Sequence, residues 1–101
     1  MNTVTLDGKE YRIRCDVNAY EEILEKYGSL SEALKQSENE KENLERLKFV
    51  LAVMINEQLY CDGAQERVTE KEVGSKILPG EYAKTVAAVY GCVNAAFTIK
   101  N

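Results

Sequence analysis

Histidine is absent from all 101 residues. That removes the commonest general base, the commonest metal ligand and any Ser-His or Cys-His nucleophile pair. An enzyme of this composition would need a carboxylate, Lys, Tyr or Cys mechanism. The three cysteines, Cys15, Cys61 and Cys92, are odd in number and widely spaced, with no Cys-x-x-Cys pair. Such spacing fits neither a disulfide framework nor a zinc site, and reads as free, mostly buried thiols. Basic charge is also in deficit: the net charge is −4 and the pI about 4.9, with Lys and Arg interleaved among Glu. A nucleic-acid binder draws its affinity from clustered Lys and Arg, so that class is not expected. No long apolar run occurs either. The longest, Phe49 to Ile55, is bounded by Lys48 and by Asn56 and Glu57, far too short to span a bilayer. Met1 to Thr5 leads into strand-like sequence without a basic segment and apolar core, so no secretory signal is expected and a cytoplasmic location is. Glycine-rich phosphate loops, metal-ligand spacings and nucleophile elbows are all missing, and neither cofactor nor metal is expected.

What is present is 45% hydrophobic content in a length suited to one domain over residues 1–101. Its centre is Leu44 to Tyr60. Leu44, Leu47, Leu51, Met54, Ile55 and Leu59 recur at three- and four-residue steps, the spacing of one helix face. Phe49, Val50, Val53 and Tyr60 fill the flanks and back. A helix apolar nearly all round, expected over about 41–62, is buried between other elements.

Ahead of it, Val4 and Leu6 alternate with polar residues, Asp7-Gly8 follows, and Tyr11, Ile13 and Cys15 alternate again. Asp-Gly tolerates the positive φ that a type I′ turn requires, so a hairpin is expected over 3–15. Two strands alone are marginal, which places the Val4, Leu6, Tyr11, Ile13 face on helices. A helix over 17–27 is capped by Asp16 or Asn18. It carries Val17, Ala19, Tyr20, Ile23, Leu24 and Tyr27 on one half, and is ended by Gly28. Its outward Glu21, Glu22 and Glu25 read as a solvated face. A short helix over 30–36 follows, and then the polar stretch Gln36 to Asn43, where any disorder is expected. Beyond the central helix, Thr69-Glu70-Lys71-Glu72 has the capping-box pattern and opens a helix over 70–78 that Pro79-Gly80 stops. The fold class is therefore α+β, mostly α: a hairpin on four to five helices.

The last helix, over 81–98, carries two stripes. Tyr82, Val86, Val89, Tyr90, Val93 and Phe97 are bulky, whereas Ala83, Ala87, Gly91 and Ala95 repeat a small residue every fourth position. Past Glu81, Lys84 is its only charge before Lys100. A helix with so little solvent-loving surface is expected to pack on two sides, with the small stripe admitting another backbone either within the fold or from another chain.

Three segments in order resemble a known family: Leu-Asp-Gly-Lys-Glu-Tyr-Arg-Ile-Arg, then Asp-Val-Asn-Ala-Tyr-Glu-Glu-Ile-Leu-Glu-Lys-Tyr-Gly-Ser-Leu, and, after the central helix, Val-Thr-Glu-Lys-Glu-Val-Gly. From Val4 to about Leu78 the chain is similar to the tail assembly chaperones of long-tailed phages and prophages of Gram-positive bacteria. The C-terminal helix matches only in kind. The resemblance implies a non-enzymatic protein that coats the largely helical tape measure protein, with the tail tube protein a further partner, and that is missing from the finished particle. It further implies action in the cytoplasm of the bacterial host, without nucleic acid or membrane. A small homodimeric adaptor or regulatory protein of a mobile element is the alternative.

Overall fold

Asp7 and Gly8 hold φ of 52° and 76°, the two positive values that close a type I′ turn with the twist of its flanking strands. In the computed structural model, which describes residues 2–98, this turn joins β1 (Thr3–Leu6) to β2 (Lys9–Arg12) with Val4 opposite Tyr11. The Ile13 amide extends the pairing by donating to the Asn2 carbonyl at 3.0 Å, and the Arg14 amide donates to Met54 at 3.2 Å. Val4, Leu6 and Ile13 are buried against the helices and Tyr11 is half-buried, as the alternation predicts.

Five helices follow: α1 (Val17–Tyr27), α2 (Leu30–Ala33), α3 (Glu40–Cys61), α4 (Glu70–Ser75) and α5 (Tyr82–Ala96), with a 3-10 turn at Pro79–Glu81. Their starts are written in side-chain oxygens. Asp16, Ser29, Asn39 and Thr69 each accept an amide hydrogen from the residue three positions on. Thr69 and Glu72 complete the reciprocal box, at 3.1 and 3.0 Å. Gly28, at φ 82°, ends α1 by donating to Leu24 at 2.8 Å. The architecture is the expected α+β hairpin on helices. Its centre is α3, in which every residue from Val50 to Ile55 is buried. α1, α4 and β2 pack on it, while α5 covers β1.

The ends of the shorter helices differ from expectation. α2 stops at Ala33 rather than near 36, and α4 at Ser75 rather than 78. Steric conflict with the Pro79 ring disfavours helical backbone at Leu78, which is extended at φ −82° and ψ 148°. Pro79 thus opens the next turn instead of closing α4. The stretch Gln36 to Asn43, expected to be the loosest, is pinned by Asn43. Its amide oxygen accepts from the Ser37 N–H at 2.9 Å and its nitrogen donates to the Ser37 carbonyl at 2.8 Å.

Surface positions also differ. Val17, Leu44 and Phe97 were expected on apolar faces, yet all three are exposed, and Phe97 meets only the edge of Tyr20, with ring centres 5.2 Å apart. Cys92 is buried, Cys15 half-buried and Cys61 exposed, all as free thiols. Burial pushes the Cys92 thiol up to about 11.

α5 buries Thr85, Val89, Cys92 and Val93. Ala83, Ala87, Gly91 and Ala95 all face outward, and a Cβ built on Gly91 meets nothing within 4 Å. The stripe is therefore not a close-packing surface among the described residues. Gly91→Ala is accordingly expected to raise stability by up to about 1 kcal/mol, the helix-propensity difference. A thermal melt checks this. A fall in melting temperature would show that Gly91 is covered in solution.

Candidate functional site

An open groove of about 910 Å³ lies beside the first half of α3. Its inner wall comes from Asn43, Leu44, Leu47 and Lys48, its outer wall from Glu70, Lys71, Gly74 and Ser75, and its far end from Ile77, Leu78, Pro79 and Tyr82. Local rules place each side chain. Asn43 turns inward to clamp Ser37, which leaves Leu44 at the mouth. The capping box sets where α4 begins, and Pro79 forces Leu78 into the extended conformation that presents its side chain. The Tyr82 hydroxyl donates to Gln36 at 2.6 Å, fixing the ring as a wall. The Lys48 stem lies so close to Gly74 that a Cβ there would sit 2.8 Å from Cδ.

Leu44 is 46% exposed and Leu78 70%. Two large aliphatic side chains of the groove lining thus stay in contact with water, which solvates them poorly. Leu44, Leu47, Ile77, Leu78 and Pro79 line the groove together with Glu40, Lys48, Glu70 and Lys71, so what it offers is apolar contact edged by charge.

A second cluster lies at the opposite end of α3. Asp16 caps α1, while Glu57 and Cys61 stand one turn apart on α3, and their ligand atoms all lie within 4.8 Å. These are the described residues spaced to hold a metal ion, and chain spacing alone did not show them. The cluster is internally satisfied. The Cys61 Sγ is 3.7 Å from Glu57 and 4.0 Å from Asp16 Oδ2, the same oxygen that accepts from Arg14 Nε at 2.9 Å. Asn18 Nδ2 donates to Glu57 at 3.3 Å.

Burial and the neighbouring Asp16 raise the Glu57 carboxyl above the ordinary range. Burial also pushes Asp16 up, but bonds from Glu57, the Ala19 amide and Arg14 outweigh it and hold Asp16 down. A carboxyl raised in the folded state stabilises the fold below its unfolded value and loses that contribution as pH rises through its folded value. Ionised Glu57 beside ionised Asp16 therefore costs stability at neutral pH. Glu57→Gln is expected to raise the melting temperature at pH 7, with the gain shrinking as pH falls through the raised folded value and gone below about 4.3, the ordinary Glu value. Melts at several pH values check this. A lower melting temperature at pH 7 would mean that Glu57 is held as a carboxylate.

The sequence signalled a contact surface only at Ala83, Ala87, Gly91 and Ala95. The groove lies elsewhere. Leu44 and Leu78 read in sequence as ordinary core positions, and only the clamp and the proline linkage turn them outward. Among the described residues no helix is long and apolar enough to cross a membrane. No protein-family model, curated protein or solved structure matches the chain.

Proposed function

We propose that this chain is a non-enzymatic tail assembly chaperone of a long-tailed phage or prophage, and that it holds a helix of the tape measure protein in the groove between α3 and α4. The observation that carries the reading is that groove, with Leu44 and Leu78 exposed in its lining. An amphipathic helix laying its apolar face into a hydrophobic groove is a recurrent mode of peptide recognition, and a tape measure protein is a long, largely helical client. The order of hairpin, capped acidic helix, central helix and Thr-Glu-Lys-Glu-Val-Gly segment supports the family reading. The protein acts in the cytoplasm of the bacterial host, contacts the tail tube protein as assembly proceeds, and leaves before the particle is finished. It uses neither cofactor nor metal.

A homodimeric adaptor of a mobile element is the second reading. It is favoured by the outward stripe Ala83, Ala87, Gly91, Ala95, which the described residues leave uncovered.

The test is calorimetric titration of the purified chain with overlapping fragments of a tape measure protein from a long-tailed phage of Gram-positive bacteria. Saturable binding of at least one helical fragment is expected. Failure of every fragment, with a stable dimer in sedimentation, would overturn the chaperone reading in favour of the adaptor.

A further inference from the structure

The outer wall of the groove is tied to the rest of the chain at one point. From Thr69 to Ile77, hydrogen bonds stay within the segment: Val73 donates to Thr69 at 3.0 Å, Lys76 to Val73 at 3.0 Å and Ile77 to Gly74 at 3.4 Å. Thr69 and Glu72 bond each other, and the Ser75 hydroxyl donates to Lys71. Glu70, Lys71, Glu72 and Lys76 enter none of the ion pairs among the described residues. Val68 is the exception. Its N–H and C=O are both taken by the Asn56 side chain of α3, at 2.7 and 2.9 Å. Among the described residues, these two are the only hydrogen bonds from Val68–Ile77 to another part of the chain.

Apolar contact adds Val73, the one buried residue of α4. Val68 and Ile77 are half-buried on either side of it, and the Lys48 stem lies against Gly74. A helix of six residues is marginal by itself in water, and a unit with so little buried apolar contact belongs to the least stable part of a fold. Its neighbours in the chain are held elsewhere. Arg67 bonds back to Ala64 and Glu66, while Leu78 bonds forward to Glu81 through both its N–H and its C=O. We propose that Val68–Ile77 opens from α3 as one unit, with the Asn56 side chain as its latch, and that the groove is complete only in the latched state. Glu70, Lys71, Gly74 and Ser75 leave with the unit, so opening removes the outer wall. A helix held between α3 and α4 stabilises the same state as the latch, a consequence that rests on the helix-binding reading of the groove.

Native-state hydrogen exchange of the whole chain, followed by NMR, tests the latch without any partner. The amides of Val68, Val73 and Gly74 are expected to exchange through one common opening, populated about a hundredfold or more above the one that exposes the Met54 amide. Asn56→Leu removes both bonds and leaves a good helix former in α3. It is expected to raise the common opening roughly ten- to hundredfold, the range for two hydrogen bonds. Exchange of all three amides at the pace of Met54 overturns the latch. So does a Val68 amide as slow as Met54 while Val73 and Gly74 exchange fast, or an opening that Asn56→Leu does not raise. If that variant fails to fold, the agreement of Val68 with Val73 and Gly74 in the unaltered chain decides. A tape measure fragment that binds in calorimetry is then added at about one hundred times its Kd, and is expected to slow the three amides about a hundredfold. A fragment that binds without slowing them overturns the helix-binding reading of the groove and leaves the latch standing.

Discussion

Met54→Ala is expected to lower the free energy of unfolding by about 2 to 5 kcal/mol, the cost of lost burial plus the cavity left behind. In a domain of this size that corresponds to a melting temperature lower by about 10 °C or more. Met54 is 0% exposed at the middle of α3, and its carbonyl receives the Arg14 amide that ties the hairpin to the helix. Collapse around the cavity is therefore resisted from two sides. Val17→Ala is the control: Val17 is 79% exposed, and a change of no more than about 0.5 kcal/mol is expected. Chemical denaturation measures both. If Met54→Ala proved as mild as Val17→Ala, α3 would not be the centre of the core.

Leu44→Glu/Leu78→Glu is expected to abolish capture of a tape measure helix while leaving the fold intact. Both side chains already meet water, so replacing them costs little stability. In the complex, each variant would bury a carboxylate against an apolar helix face. Loss of two central anchors, at about 2 kcal/mol or more each, weakens binding by roughly a thousandfold. Calorimetry with the best-binding fragment reads the affinity, and far-ultraviolet circular dichroism reads the fold. Unchanged affinity would remove the groove from the partner site.

Much of the fold was legible because its signals are local and redundant. Asp7-Gly8 fixes the hairpin turn, Gly28 the end of α1, and Thr69 with Glu72 the start of α4. The six consecutive buried residues of α3 match a run with no polar side. The misplaced ends have causes that act across the chain. Leu34 and Lys35 leave the helical path where Asn43, several residues on, captures Ser37. Leu78 reads as the next turn of α4 until the ring of Pro79 is taken into account.

The buried and half-buried polar side chains were the least legible. Asn56, which ends the apolar run in sequence, accepts from the Val68 amide at 2.7 Å and donates to its carbonyl at 2.9 Å. It thereby holds the connection after α3 onto the helix. Glu57 is buried beside Asp16, which is 41 positions earlier. A polar side chain directly after the apolar middle of α3 was the available signal, but it does not say which distant partner satisfies it. The groove was hidden for a related reason: it is the space left when Asn43 and Pro79 turn Leu44 and Leu78 away from the core. Periodicity reports which residues share a face of one helix, and α5 shows its limit. Its small stripe is regular in sequence, and nothing among the described residues covers it.

The central claim is that the groove beside α3 receives the partner helix. Titrating the isotopically labelled chain with a helical tape measure fragment, and following backbone and methyl resonances by NMR, tests it most directly. The account predicts that the largest shifts gather at Leu44, Leu47, Ile77, Leu78 and Tyr82. Shifts centred on Ala83, Ala87, Gly91 and Ala95, with the groove unmoved, would contradict it.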